Sequence, residues 1–210
     1  MVYLPPAFTE TRAEVLVAHL ERHDFATLVT NGGGGIVASQ IPFLVERRGD
    51  GLVLLGHLAR ANPQVRELDD TREALAIFAG PHAYVSPSWY DAGPAVPTWN
   101  YATVHAYGPA RAIENPAWLR DMVRRLSERH EGYEAARGNA AWQFDALPEP
   151  YVQSMLKGIV GVEFWVERLE GKFKLSQNRP ATDRPRIIAA LEAREDADSH
   201  AVARLMRERE

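Results

Sequence analysis

The chain of 210 residues contains no cysteine. This absence excludes a disulfide framework, a thiolate metal site and a cysteine nucleophile. The sequence also has no apolar run close to the roughly 20 residues that a membrane-spanning helix needs, and its N-terminus shows no basic-then-apolar signal pattern. We therefore expect a cytoplasmic protein with no membrane partner.

An excess of positive charge is missing as well. The formal net charge is −4 and the sequence pI is about 6.0, whereas a dedicated nucleic-acid-binding domain usually carries a basic stripe. Between Asp183 and Glu210, arginines and acidic residues alternate along what we interpret as solvated helix faces. The charge pattern therefore does not support direct DNA binding.

Alternating apolar residues predict a mainly β protein with peripheral helices. Phe25 to Thr30 and Ile36 to Glu46 read as a hairpin around the glycines at 32–35, since no Gly-Lys-Ser/Thr follows them as in a phosphate loop. Further strands are predicted over 52–58, 74–80, 96–113 and 159–175, the last folded about Glu170-Gly171, and helices after the capping box 11–14, after Asn115-Pro116 and over 148–157.

About six strands with short turns predict a closed antiparallel barrel decorated by helices. Strand-helix-strand alternation does not persist, so a Rossmann fold is not expected. We expect one domain over residues 1–180 and a C-terminal helical tail over 181–210, packed on that domain or extending from it.

The run from Gly56 to Pro63 is typical of an anion site. An apolar strand leads into it, and Asn62-Pro63 is a favoured helix start whose free N–H groups would point toward Arg60. Arg60 adds a planar, charged fork suited to phosphate oxygens. The alternative is an ordinary strand-to-helix turn with a solvated arginine.

Two segments, 84–90 and 96–101, are rich in aromatic and polar side chains of the kind that binds a planar ring, although each segment taken singly is better explained by packing and turn residues. A third polar segment spans 174–180. Strand alternation would put Lys174, Ser176 and Asn178 on one side of it, as a second anion or carbonyl contact or as a solvated strand end.

No catalytic residue can be assigned from the pattern. His57, His82 and His105 lie on different predicted elements without the spacing of a zinc site, so we expect no metal. Gly-x-Ser-x-Gly is absent, and the serines at 86 and 88 lie in a proline-rich turn.

Four motifs, taken together and in this order, resemble the PaiB family of FMN-binding negative transcriptional regulators: 56–63, 80–90, 96–101 and 174–179. The resemblance covers nearly the whole chain. It implies an FMN-binding split β-barrel, shared at a distance with pyridoxamine-phosphate oxidases and flavin reductase-like proteins, in which two subunits form the flavin sites. FMN rather than FAD or NAD is expected, because the chain has no glycine-rich dinucleotide fingerprint.

The resemblance also implies a set of cofactor-binding residues. Arg60 with Asn62 and Pro63 would hold the phosphate, the strand 39–42 would lie along the isoalloxazine ring, and the segments near Trp99 and Lys174 would complete the pocket, from the same subunit or its partner. The full set is Ser39, Gln40, Ile41, Pro42, His57, Arg60, Asn62, Pro63, Trp89, Trp99, Asn100, Tyr101, Lys174, Ser176, Gln177 and Asn178.

Three functions follow from the resemblance. The first is an FMN-binding regulator that acts as a flavin-bound homodimer, with DNA as a partner only by the family label. The second is a flavin-dependent oxidoreductase of the pyridoxamine-phosphate oxidase-like or flavin reductase-like class. The third is a haem-binding split-barrel protein, which would need an exposed axial histidine such as His57 or His105.

Overall fold

The computed structural model describes residues 2–91 and 94–209. Within these residues the strands are β1 Thr9–Glu10, β2 Phe25–Gly32, β3 Gly35–Pro42, β4 Leu44–Arg48, β5 Gly51–Ala59, β6 Glu73–Val85, β7 Thr98–Ile113, β8 Ile159–Val166 and β9 Arg168–Lys174. The α-helices are α1 Ala13–Arg22, α2 Pro116–Ala136, α3 Glu149–Leu156, α4 Asp183–Glu192 and α5 Ala197–Arg207. Short 3-10 helices cover Pro6–Phe8, Pro63–Glu67, Pro87–Trp89 and Phe144–Ala146.

The chain forms two compact units. The hairpin unit consists of Asp24–Ile77 and Ala106–Arg168, and the terminal unit consists of Met1–His23, Phe78–His105 and Leu169–Glu210. Strands β6 and β7 run through both units. No helix in the described part of the chain is long and apolar enough to cross a membrane.

The hairpin unit is named for the β2–β3 hairpin, which confirms the prediction from the glycine turn. Its register runs from Phe25 opposite Pro42 to Gly32 opposite Gly35. The predicted second strand is too long, because β3 ends at Pro42 and the chain continues through buried Phe43 into β4, which pairs with β5 instead. Strand β5 also pairs with β8, which pairs with the end of β7.

The strand order does not close on itself. Its two ends are β3 and β4, which are not paired with each other among the described residues. The predicted closed barrel is therefore wrong, while the mainly β class with peripheral helices is confirmed. The sheet stays open because the chain turns a corner at Phe43, whose backbone N–H donates to Asp24 O at 2.9 Å. Before this corner β3 pairs with β2, and after it β4 pairs with β5.

Helix α2 covers one face of the hairpin unit. Asn115 caps it as predicted, with Oδ1 accepting from the N–H groups of Ala117 and Trp118 at 2.9 and 3.1 Å. The predicted apolar stripe is confirmed, since its residues pack into two core clusters with β5 and α3. Their buried members are Leu44, Val53, Leu55, Met122 and Leu126, and Leu119, Phe144, Val152 and Leu156.

Two sequence predictions for the terminal unit, a turn and a capping box, are wrong. The predicted turn at Glu170-Gly171 is wrong, because both residues lie within β9, where Gly171 pairs with Glu10 of β1. A Cβ on Gly171 would lie 2.3 Å from Leu16 Cδ2, so this glycine serves close packing against α1. The capping box is also wrong: α1 starts after Arg12, whose N–H and guanidinium are bound by the Glu10 carboxylate.

The C-terminal segment is helical, as predicted. Helices α4 and α5 belong to the terminal unit and pack against each other through buried apolar residues, among them Ile187, Leu191, Val202 and Met206. The predicted domain boundary at residue 180 stays a prediction.

Strand β5 passes unusually close to the corner between β3 and β4. A Cβ placed on Gly56 would lie 2.9 Å from the carbonyl oxygen of Pro42 and 3.2 to 3.3 Å from the side chains of Phe43 and Ile41. The nearest of these groups is backbone and cannot move away as a flexible side chain could. Position 56 therefore accepts only glycine without a shift of the corner.

We expect Gly56→Ala to lower the free energy of unfolding by about 1 to 3 kcal/mol, the usual cost of overpacking. Chemical denaturation measures this change. Gly33→Ala is the matched control, because a Cβ there meets nothing within 4 Å. Equal stability of the two variants would show that the close approach at Gly56 is not a constraint.

Candidate functional site

A cavity of about 460 Å³ lies in the hairpin unit between β3 and the end of β5. Six of the residues predicted to bind cofactor line it, together with three neighbours that the sequence reasoning did not single out. The lining residues are Ala38, Ser39, Gln40, Ile41, Pro42, His57, Leu58, Ala59 and Asn62. The structure thus brings the predicted strand 39–42 and the predicted corner near Asn62 to one place.

Strand β3 gives this cavity a polar wall. It is the last strand of the order and, within the described residues, pairs with β2 on one side only. In an antiparallel ladder alternate residues direct their N–H and C=O groups to opposite sides, so every second residue of β3 presents these groups to the free edge. A free strand edge supplies donors and acceptors for a ligand with a polar rim.

Asn62 ties the end of β5 to β3. Its Oδ1 accepts from the N–H of Gln64 at 2.9 Å, and its Nδ2 donates to Ser39 Oγ at 2.9 Å. The predicted helix start at Asn62-Pro63 is confirmed, but the helix is a 3-10 helix of five residues, Pro63–Glu67. Its dipole is therefore weaker than the sequence interpretation of an α-helix N-terminus assumed.

His57 is the titratable side chain of the cavity wall. Its Nδ1 is buried and has no hydrogen-bond partner in the part of the chain that the structure describes. Burial lowers the pKa of His57, so the imidazole is neutral at neutral pH. A neutral ring with an unpartnered nitrogen can donate one hydrogen bond or accept one, depending on its tautomer.

The guanidinium of Arg60 lies outside the lining of this cavity. Its Nε donates to Lys157 O at 2.9 Å and its Nη2 to Ile159 O at 3.1 Å, while its Nη1 lies 3.3 Å from the exposed carboxylate of Glu114. The side chain is 43% exposed. Arg60 is therefore held in a fixed orientation beside the corner while part of its fork stays accessible.

The other predicted cofactor residues belong to the terminal unit. They are Trp89, Trp99, Asn100, Tyr101, Lys174, Ser176, Gln177 and Asn178. Asn100 is fully buried, where its Oδ1 accepts from Ser176 Oγ at 3.0 Å and its Nδ2 lies 3.4 Å from Met206 Sδ. These two polar side chains satisfy each other inside the unit.

The predicted alternation of Lys174, Ser176 and Asn178 along one strand face is wrong. Strand β9 ends at Lys174, and Ser176 has a φ of 61°, in the left-handed region that interrupts a strand. The Lys174 ammonium donates to Thr98 Oγ1 and, at 2.9 Å, to Trp99 O. Burial, together with the charge of Lys172, lowers its pKa.

The aromatic segments differ in exposure. Trp99 is 51% exposed and has the rings of His82 and Tyr84 at 5.9 Å. Trp89 instead has the Arg194 guanidinium 4.9 Å from its ring centre, and its carbonyl accepts from Arg186 at 3.0 Å. The 84–90 segment therefore includes structural packing, whereas Trp99 offers a ring face to solvent.

The chain belongs to a family that is defined by an FMN-binding domain. A family model described as "Putative FMN-binding domain" matches residues 2–168, so the chain belongs to that family. Its fold is shared with the FAD and heme binding protein from Mycobacterium smegmatis (TM-score 0.54, 19% identity, 79% of this chain and 73% of that one). The flavocytochrome Anf3 from Azotobacter vinelandii is similar (TM-score 0.58, 14% identity, 81% and 72%).

Among named relatives the similarity is to "Protease synthase and sporulation protein PAI 2" of Bacillus subtilis. The two are 36% identical over 208 residues, which are 99% of this chain and 98% of the relative. An uncharacterized protein of Emericella nidulans is 33% identical over 83% of this chain and 82% of its own length. The resemblance to the PaiB family is confirmed, and FMN is confirmed as the cofactor of the family.

Proposed function

We propose that FMN binds in the cavity between β3 and the end of β5, and that the flavin-bound protein acts as a regulator. The cavity carries this proposal, because it gathers the predicted strand 39–42, His57 and Asn62 around one space. The isoalloxazine ring has a polar rim of alternating donors and acceptors, which the free edge of β3 can match. The imidazole of His57 forms part of the same wall.

Bound FMN supplies one- and two-electron redox chemistry. The chain's own residues then orient the ring and exclude water from one side of it. Ser39 and Asn62, held by their mutual hydrogen bond, would keep the β3 edge and the corner at a constant separation. Among the described residues that line the cavity there is no acid or lysine, so a cation that pairs with the phosphate has to come from outside the lining.

Arg60 is the cation that we assign to the FMN phosphate. Its two carbonyl contacts fix the plane of the guanidinium, and its Nη1 lies 3.3 Å from Glu114, a carboxylate that is itself 69% exposed. An exposed ion pair contributes little, so a dianionic phosphate can replace it. A fixed fork also loses less entropy on binding than a free one.

We expect Arg60→Ala to weaken FMN binding by about 1.5 to 3 kcal/mol, or roughly ten- to a hundredfold, because a charge-assisted contact is lost. Titration followed by the quenching of flavin fluorescence measures the dissociation constant. Arg66→Ala is the control, since this exposed arginine lies on the adjacent 3-10 helix and does not line the cavity. An unchanged constant in Arg60→Ala would remove Arg60 from the site.

The second part of the proposal is a two-fold symmetric homodimer in which a second copy completes the site. The terminal unit exposes a patch formed by Tyr84, Val96 and Trp99, which are 37%, 77% and 51% exposed. Aromatic side chains are enriched in protein interfaces, and C2 pairing is the commonest assembly of soluble proteins. The patch suits a contact with another molecule of the same chain.

Sedimentation at micromolar concentration is expected to give a species of about twice the chain mass of 23.5 kDa. Trp99→Asp should shift it to the monomer and weaken FMN binding, because a charge in the contact is costly to bury. Tyr133→Asp is the control, since Tyr133 is similarly exposed, at 46%, but lies on α2. A monomer that still binds FMN stoichiometrically would contradict the shared site.

The third part of the proposal is that regulation does not depend on direct reading of DNA. Helices α4 and α5 are joined by four residues, and in a helix-turn-helix the N-terminal residues of the second helix face the bases. In α5 that end carries Asp196 as the cap and Asp198 in the first turn. Two carboxylates there would repel the phosphate backbone.

The arginines of this segment are also engaged within the protein. Arg207 makes a bidentate pair with Glu192 at 2.8 to 2.9 Å, and Arg209 contacts Glu10 at 2.8 Å. Arg184 donates to the carbonyls of Leu175 and Met206. The ion pairs of Arg207 and Arg209 neutralise charge that DNA binding would need, and the two carbonyl contacts occupy the guanidinium of Arg184.

We therefore expect the pure, flavin-loaded protein to bind duplex DNA weakly, with a shallow slope of log affinity against log salt concentration. Fluorescence anisotropy over a salt series measures this slope. Asp196→Asn combined with Asp198→Asn should raise non-specific binding only slightly. Tight, sequence-specific retention of a promoter fragment with a steep salt slope would reverse this part of the proposal.

A further inference from the structure

A second cavity in the hairpin unit shares His57 with the cavity described above. It measures about 300 Å³ and lies among α2, the 3-10 helix Phe144–Ala146 and α3. Its walls are apolar and aromatic, with Trp142, Phe144, Tyr151 and Met155 as the large contributors. His57 therefore lines both a polar cavity and an apolar one.

The chemistry of the second cavity selects a class of ligand. Among the described residues that line it there is no acid, lysine or arginine. The neutral state of His57 leaves the lining without a formal charge, so ions, phosphates and peptides with charged termini are poor occupants. Flat aromatic side chains favour a planar, uncharged ring system.

The cavity is already formed and is open at one side. Phe144 is buried and meets the ring of Trp142 edge-on at 6.1 Å, and the backbone N–H of Trp142 donates to Glu131 Oε2 at 2.7 Å. Trp142, Tyr151 and Met155 are 45%, 52% and 52% exposed, which places solvent-accessible apolar side chains at its mouth. An apolar cavity of roughly 150 Å³ holds one benzene ring, so about twice that volume suits two fused rings.

We infer that this apolar cavity binds a small, neutral, planar aromatic molecule with one hydrogen-bonding group, which the imidazole of His57 recognises. The imidazole of His57 is the observation that points to a ligand: it lines the cavity, and its Nδ1 has no hydrogen-bond partner among the described residues. A polar ring without a partner in an apolar lining costs free energy that a hydrogen bond to the ring recovers. Since His57 also lines the β3–β5 cavity, the ligand lies next to the FMN. This adjacency rests on the proposed function, whereas the aromatic site itself does not.

Calorimetric titration of the full chain with 2-naphthol, and separately with naphthalene, tests the inference. Both probes have two fused rings, and only 2-naphthol has a hydrogen-bonding group. We expect 2-naphthol to bind once per chain and roughly two- to tenfold more tightly than naphthalene, the contribution of one neutral hydrogen bond. His57→Phe should abolish that preference while keeping a ring at position 57.

Two further variants test the apolar wall. Trp142→Ala and Met155→Glu each change an exposed side chain that lines only the second cavity, so both should fold, which circular dichroism verifies. We expect each to weaken 2-naphthol binding by about fivefold or more and to leave FMN binding unchanged. Tyr133→Ala is the control, because Tyr133 is exposed on α2 and lines neither cavity.

Three results would overturn the inference. The first is equal affinity of the wild type for both probes, and the second is 2-naphthol binding that Trp142→Ala does not change. The third is a dimer that Trp142→Ala dissociates, because a second copy of the chain would then cover the cavity and exclude the probe.

In the FMN-loaded protein, 2-naphthol should also perturb the visible flavin band, and His57→Phe should remove this effect. If the wild type binds 2-naphthol but not FMN, the proposed function fails and the aromatic site stands without its flavin neighbour.

Discussion

The close approach of β5 to the corner between β3 and β4 is the constraint on which the hairpin unit depends. Gly56 makes this approach sterically feasible, since any Cβ would meet the Pro42 carbonyl at 2.9 Å. At this corner the chain passes from β3, which pairs with β2, to β4, which pairs with β5. One edge of β3 therefore has no strand partner among residues 2–91 and 94–209. The same approach brings His57, one residue further along β5, to the wall beside that free edge.

A free strand edge is usually a liability, because its unpaired N–H and C=O groups attract other chains. Here the edge borders a cavity whose other wall is tied to it by the bond from Asn62 to Ser39. A cofactor with a polar rim can satisfy these groups, which converts the liability into a binding surface. The family supports a flavin as the cofactor, and under the proposed function this edge is its binding surface. His57 lines both this cavity and the second, apolar one.

Sequence patterns within a few residues of one another correctly predicted the secondary-structure elements that depend on local interactions. The β2–β3 hairpin follows from alternation around glycines, and the start of α2 follows from Asn115-Pro116. The wrong predictions concern residues whose conformation is set by tertiary contacts. Gly171 lies inside a strand because Leu16 packs against it, which leaves no room for a Cβ. Ser176 has a left-handed backbone conformation, and its hydroxyl donates to Asn100. The assignment of residues 39–42 to the cofactor site depends on the family resemblance, because these residues alone predict only an alternating strand. The apolar cavity was not predicted, because α2 and α3 reach it from distant parts of the sequence.

The central claim is that FMN occupies the cavity between β3 and the end of β5. Hydrogen exchange of the backbone amides, measured by mass spectrometry with and without FMN, tests it most directly, since a ligand on a strand edge slows exchange at the amides it covers. The account predicts protection concentrated in peptides that contain residues 38–42 and 57–62. Protection elsewhere in the hairpin unit, with exchange in those two segments unchanged by saturating FMN, would contradict it.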